Sequence, residues 1–293
     1  MSAPRTRPVL KAFTVILIAI TTFVVWLILT TPNVAKIERC MRTSMYKVWL
    51  CPKNPNYVPL SQISPIFRSV VIASEDANFY WHHGFDWSQI HESFDKDLET
   101  HRIVRGGSTI TQQLAKNVFL TKDRTILRKL REAYLTVQIE ALLTKNKILE
   151  KYLNIIELGP GVYGVKAAAR YYFNKSPAEL DVLDSAYLAY LIPNPRVYSR
   201  TFERKKLTTF AKFRIRELCY IMFRTGKISE AEYTLAINSL DSFPWQNVAA
   251  PPSNPELAPN SALAPAAANA ATAPLNNQPT VELGGGQVGE HNP

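Results

Sequence analysis

Gly106-Gly107-Ser108-Thr109-Ile110-Thr111-Gln112-Gln113 stands between a basic loop and an apolar, helix-patterned stretch. Two glycines free the backbone for tight or left-handed turns. Ser and Thr are favoured helix N-caps, and Thr109 with Gln112 has the spacing of a capping box. The stretch therefore predicts a helix beginning beneath a Gly-Gly turn, with N–H groups and a partial positive charge facing outward. Such an end suits a phosphate, and the nearby hydroxyls and amides suit a sugar. An ordinary capped helix would read the same way, so the flanking sequence has to decide.

Upstream lies Ser74-Glu75-Asp76-Ala77-Asn78-Phe79-Tyr80-Trp81-His82-His83-Gly84-Phe85-Asp86, where adjacent acids close an apolar helical run (Ile63, Ile66, Phe67, Val70, Val71). A carboxylate in apolar surroundings has a raised pKa and can act as a general base near neutrality. A solvated helix end with a structural histidine is the competing reading. Downstream lies Arg124-Thr125-Ile126-Leu127-Arg128-Lys129-Leu130-Arg131-Glu132. At 100° per residue, Leu127, Leu130, Tyr134, Val137 and Ala141 make one stripe, and Arg124, Arg128, Arg131 and Glu132 gather beside it. Guanidinium groups suit phosphate oxygens; a surface ladder with Arg128 and Glu132 paired at i, i+4 is the plainer alternative.

The chain has 293 residues and a formal net charge of +10. All 34 basic residues precede residue 228, while six of the 24 acidic ones follow it, so residues 1–227 carry an excess of +16. Ala12 to Leu29 holds no charge and is long enough to cross a bilayer as a helix. Arg5, Arg7 and Lys11 precede it, which places the N-terminus in the cytoplasm and the remainder outside. A cleaved signal peptide is the alternative, but no small-x-small site follows promptly. A basic domain beside a membrane points to anionic headgroups or phosphorylated substrates rather than nucleic acid. Of the three cysteines, Cys40 and Cys51 lie just past the anchor and can pair in an oxidising compartment; Cys219 falls in an apolar helical pattern as a buried thiol.

Helical periodicity runs from Tyr57 to about Leu240, through Ser61–Ser74, Trp87–Leu98, Thr109–Leu120, Thr125–Leu143, Lys145–Leu153, Val165–Phe173, Pro177–Leu191, Arg204–Arg224 and Ser229–Leu240. No alternating strand pattern stands out, so the fold class is mainly α with little β structure. The expected layout is a cytoplasmic N-terminus (1–11), an anchor (12–31), a juxtamembrane linker (32–56), a helical domain (57–243) and a disordered Pro/Ala/Asn-rich tail (244–293).

In order and spacing these segments resemble the family 51 glycosyltransferases, the peptidoglycan glycan polymerases found alone or at the N-terminus of class A penicillin-binding proteins. Glu75, Asp76, Phe79, His82 and Gly84 match the first motif, and Gly106 through Gln113, continuing to Lys116-Asn117, match the second. Arg128, Lys129 and Glu132 match the third, and Lys145-Asn146-Lys147-Ile148-Leu149-Glu150-Lys151-Tyr152-Leu153-Asn154 the fourth. Tyr163-Gly164-Val165, Ala167-Ala168, Tyr172-Phe173 and Lys175 follow as the family has them. The fifth motif departs, with Asp184 where Glu is usual, and Trp81 and His83 are local variations. The resemblance covers about residues 57–240, and no transpeptidase domain follows.

The resemblance implies a lysozyme-like multi-helix fold that joins lipid II units into β-1,4 glycan strands by inversion, releasing undecaprenyl pyrophosphate. Glu75 would be the general base. Lys116, Arg124, Arg128, Lys129 and Arg131 would meet the pyrophosphate, and Asp76, His82, Ser108, Thr109, Gln112 and Gln113 would line the substrate cleft. Glu132 would be the second functional acid, orienting the cations or holding a divalent cation, Mg2+ or Mn2+. The implied partners are lipid II, the nascent strand, membrane lipid and other cell-wall synthesis proteins, with no nucleic acid. The implied location is the inner (plasma) membrane, with the catalytic domain periplasmic.

A glycan-cleaving enzyme would also use two carboxylates, yet has no need of a cationic cradle. Ser44-Met45-Tyr46-Lys47, Tyr152-Leu153-Asn154 and Arg224-Thr225-Gly226 imitate the motifs of a penicillin-sensitive acyltransferase. Ser44, however, lies too close behind the anchor for such a domain. A non-catalytic scaffold is disfavoured by the intact Glu75 and Glu132.

Overall fold

The computed structural model describes residues 6–100 and 107–242, with side chains from residue 10 to 93 and from 107 onward. Arg5, Gly106 and the tail expected over 244–293 lie outside the described residues. The first helix, α1 (Thr6–Thr30), is apolar throughout its middle, and Leu10 onward is long and apolar enough to cross a membrane. Only 6% of its most apolar window is buried, so it projects from the domain and touches it through its last turns.

Residues 32–56, expected to be a linker, pack instead. Val34 and Ile37 on a short 3-10 turn (Val34–Glu38), with Leu50, belong to the core. Cys40 and Cys51 are joined in a disulfide, and Cys219 is a buried free thiol. The N–H groups of Ser44 and Met45 donate to the carbonyls of Val118 and Asn117, which fixes this segment against the end of the fourth helix.

The remaining helices are α2 (Pro65–Glu75), α3 (Trp87–Thr100), α4 (Ile110–Phe119), α5 (Ile126–Leu142), α6 (Lys145–Leu153), α7 (Val165–Phe173), α8 (Val182–Leu191), the single turns α9 (Pro195–Tyr198) and α10 (Arg200–Glu203), α11 (Thr209–Arg224) and α12 (Glu230–Ser239). Two short antiparallel strands, β1 (Glu157–Gly159) and β2 (Val162–Tyr163), make the one sheet among the described residues. The mainly α class read from sequence is the class observed. Helix starts fall where caps stand: the side chains of Thr109, Thr125, Thr144, Thr208 and Ser229 each accept a bond from the backbone N–H three residues further on. Such a cap contributes about 1 kcal/mol.

Two expected helices begin later than periodicity suggested. Pro177 and Glu179 form only a 3-10 turn, and α8 waits for Asp181, whose side chain caps it reciprocally with Asp184. Likewise α11 starts after Thr208 rather than at Arg204. All ten residues of α8 are buried, and α2, α7, α11 and α12 pack around it. Asp184, the departure in the fifth motif, is a buried partner of Lys175 at 2.6 Å and part of that cap. Burial, with Asp181 adding to it, lifts its carboxyl to about 6.

The fourth motif also serves architecture. Glu150 accepts the Tyr57 hydroxyl at 2.8 Å and the Leu60 N–H at 3.0 Å, and the buried Asn154 amide pairs with both backbone groups of Val58. The chain entering α2 is thus bolted to α6.

At the sheet's exit Gly164 has φ +82°, and a Cβ there would stand 2.5 Å from the Asn154 carbonyl oxygen. Gly164→Ala combines a left-handed conformation with a backbone clash, so the expected loss is about 2–3 kcal/mol. Denaturant unfolding of the variant beside the wild type checks it.

Candidate active site

The end of α2 and the start of α4 meet through one carboxylate. Asp76, 1% exposed, lies 2.8 Å from His82 Nε2 by one oxygen and accepts the Ile110 N–H at 2.9 Å by the other. His82 Nδ1 accepts the Gly84 N–H at 3.0 Å, so the ring proton sits on Nε2 and points at Asp76. Gly84, at φ +92°, returns its carbonyl to the Thr109 hydroxyl at 2.7 Å. A side chain at Gly84 would meet Thr136 Cγ2 at 2.7 Å, so α5 packs directly on this turn. The first and second motifs are therefore a single knot.

Several predicted site residues are spent inside that knot. Thr109 and Gln112 form the capping box that their spacing predicted, with the Thr109 N–H donating to Gln112 Oε1 at 2.9 Å, and both side chains are buried. Asp76 and His82 face inward as well. These four orient the site rather than present open polar groups to a ligand.

Glu75 is one residue before Asp76 and points the other way. It lines a cleft of about 550 Å³ with Ser108, Gln113 and Lys116 on one wall. Gln113 Nε2 donates to its carboxylate at 2.9 Å, while Gln113 Oε1 accepts the Tyr152 hydroxyl at 3.0 Å; turning the amide over would set its oxygen against the Glu75 carboxylate. Burial raises the Glu75 pKa above the ordinary glutamate range; the Gln113 bond and the Lys116 charge oppose that rise. The same desolvation lowers Lys116, with Glu132 opposing and Arg128 and Lys129 adding to the fall. Lys116 is thus the electrostatic link between Glu75 and α5, and it forms no ion pair among the described residues.

On α5, Arg128 Nη1 meets Glu132 at 2.5 Å and the Lys129 ammonium meets its other oxygen. Glu132 is 2% exposed, so a single buried carboxylate holds two cations in register. The i, i+4 ladder and the cationic surface read from sequence are the same object. Arg124 is exposed at the start of the helix. Arg131 departs from the group: its guanidinium lies over the Trp26 ring and donates to Thr30, both on α1.

A divalent cation needs several oxygen ligands. Both oxygens of Glu132 are occupied by Arg128 and Lys129, and among the described residues no three His, Cys, Asp or Glu side chains come together. The chain's own donors do not fit a resident cation at Glu132.

The opposite wall of the cleft escaped sequence reasoning. It is made by Tyr190, Tyr198, Phe210 and Arg214, from α8, α9 and α11. Tyr190 and Tyr198 stack at 4.7 Å, and Arg214 is close enough to act on Glu75. The signal available was Arg214 four residues before Leu218, a cation bordering the apolar stripe of α11, as Arg128 borders that of α5.

A helical domain with a desolvated glutamate, a lysine and a carboxylate-held pair of cations has groups able to exchange a proton and to stabilise negative charge. The transglycosylase family model matches residues 43–219, and the chain belongs to that family. It is 46% identical over 165 residues to a biosynthetic peptidoglycan transglycosylase of Chromobacterium violaceum, covering 56% of this chain and 72% of that one. A protein of the same name from Laribacter hongkongensis is 47% identical over 154 residues (51% and 68%), and one from Dechloromonas aromatica 49% over 144 (49% and 62%). The protein is a glycosyltransferase.

The Gln113 hydrogen bond favours the ionised form of Glu75, so its removal raises that pKa further. In Gln113→Met the rising limb of the pH–rate profile is expected to move to higher pH. Initial rates measured across the pH range on both enzymes check the direction.

Proposed function

We propose that the enzyme polymerises lipid II into β-1,4 glycan strands from a single-pass anchor in the inner membrane, with its catalytic domain on the periplasmic side. One observation carries the reading: Glu75 is a desolvated carboxylate in the cleft, held by Gln113 and facing Lys116. The names of the relatives, which place them in peptidoglycan biosynthesis, support the substrate class.

The step requires an acceptor hydroxyl, a base and a leaving group. The acceptor's 4-hydroxyl oxygen attacks C1 of the donor sugar as its proton passes to Glu75. The C1–O bond to the lipid pyrophosphate breaks on the opposite face, inverting the anomeric carbon, and the electron pair leaves with the phosphate. Lys116, Arg128 and Lys129 receive that charge, and Arg124 extends the cationic surface toward solvent. Donors fixed before the reaction stabilise developing charge with little reorganisation. Glu132 keeps the two α5 cations aimed. Ser108 and Gln113 are in place to hydrogen-bond the sugars, while Asp76, His82, Thr109 and Gln112 hold the frame.

A desolvated glutamate also suits glycan hydrolysis, but the cations around Glu132 favour a pyrophosphate-linked donor. A scaffold without activity would not need a raised carboxylate in a formed cleft.

Glu75→Gln preserves the Gln113 contact geometry while removing the base. The expected result is less than a tenth of wild-type polymer from purified lipid II, with an unchanged thermal midpoint. Arg128→Ala frees one oxygen of Glu132 and one phosphate contact, so kcat/KM is expected to drop about 100-fold, about 2.7 kcal/mol. Polymer formation from labelled lipid II reads both, and near-normal strands from Glu75→Gln would sink the assignment.

A further inference from the structure

Arg131 lies one turn beyond Arg128 on α5, yet its partners belong to the membrane helix. Its guanidinium carbon is 5.6 Å from the centre of the Trp26 ring, and its Nη2 donates to Thr30 Oγ1 at 3.1 Å. Its Nε is buried and bonds to no described residue. Thr30 in turn donates to the Trp26 carbonyl at 2.8 Å, so the ring, the hydroxyl and the guanidinium form one closed contact. Leu27 is buried at the same level, whereas the apolar window of α1 is almost wholly exposed. The last two turns of α1 are where the domain grips its anchor.

Residues three apart on a helix are neighbours, with Cβ atoms about 5–6 Å apart. Gripping α1 at Arg131 therefore fixes Arg128 one turn of α5 away from the contact with the end of the membrane helix. Tryptophan settles at the membrane–water boundary, and the Arg131 charge beside it belongs at the same depth. A lipid-linked pyrophosphate lies at that depth too.

We infer that Arg131, Trp26 and Thr30 form a height register: a joint that holds the cationic face of α5 at headgroup level, rather than Arg131 contacting substrate. The inference rests on the proposed lipid II reading, because only a membrane-held donor makes height matter. Arg131 is then a positioning residue. The joint works through α1, so it governs reaction with a substrate embedded in a bilayer and is indifferent to one that diffuses freely.

The test uses the full chain with Trp26→Ala or Thr30→Val and two substrates: lipid II in phosphatidylglycerol-containing vesicles, and a water-soluble short-chain analogue in detergent. Vesicle rates are expected to drop about tenfold, and soluble-analogue rates to stay within about twofold. Arg131→Gln added to Trp26→Ala should cost the vesicle rate nothing more. A second readout needs no activity. Asp123→Cys carries a fluorophore, Cys40 and Cys51 being paired and Cys219 buried, and a quencher on the lipid headgroups reports its height. Trp26→Ala should lose at least half of that quenching. Equal slowing on both substrates, or unchanged quenching, overturns the register. A wild type inactive on both substrates overturns the polymerase reading, while the quenching still judges the joint.

Discussion

Asp76 accepts one bond from a histidine and one from the first N–H of α4, in a place water does not reach. Leaving either donor unmet there would cost about 1–3 kcal/mol, so the end of α2, the Gly84 turn and the start of α4 are constrained to one arrangement. That arrangement decides where Glu75 points. Adjacent residues at a helix end diverge, and with Asp76 committed to the interior Glu75 is left in the cleft. The same start of α4 puts Gln113 on Glu75 and Lys116 one turn further along. The positions of Glu75, the Gln113 amide and Lys116 are thus consequences of one buried carboxylate.

From there the charge distribution organises itself by burial. Lys116 is disfavoured as a cation by desolvation and by Arg128 and Lys129, and favoured by Glu132 and Glu75. Glu132 is neutralised by two cations that remain partly accessible. The cleft therefore grades from a desolvated carboxylate to a cationic surface across a single lysine. The proposed transfer, which moves negative charge from an acceptor oxygen to a departing phosphate, would run along that gradient.

Much of this was legible in the sequence, and the parts that were not have physical reasons. Helix starts were readable because capping is local: Thr109 and Gln112 announce their own bonds. The placement of Glu75, Lys116, Arg128 and Glu132 near one another followed from ordered motifs. What a motif residue does was less legible. Asp76, His82, Thr109 and Gln112 share segments with cleft residues, and only the fold shows that their polar atoms face inward. Residues 32–56 carry too few apolar groups to advertise a core element, yet Ile37 and Leu50 find one because the disulfide and the Val118 pairing hold them there. The wall of Tyr190, Tyr198, Phe210 and Arg214 is assembled across three elements, a juxtaposition no local pattern encodes. Arg131 sat on the expected face of α5 but was claimed by a helix a hundred residues earlier.

The packing of residues 32–56 also bears on how the enzyme can be cut. The boundary suggested by composition, near Tyr57, passes through the domain: it would strip Val34, Ile37 and Leu50 from the core and leave the Val118 and Asn117 carbonyls without their strand-like partners. It would also remove both cysteines of the disulfide. A version freed of its membrane helix has to begin at or before Asn33, which caps the first 3-10 turn. Even then, the Arg131 guanidinium faces solvent where Trp26 had covered it. Anchor and catalyst share a seam, and the clean place to divide them lies between Pro32 and Asn33.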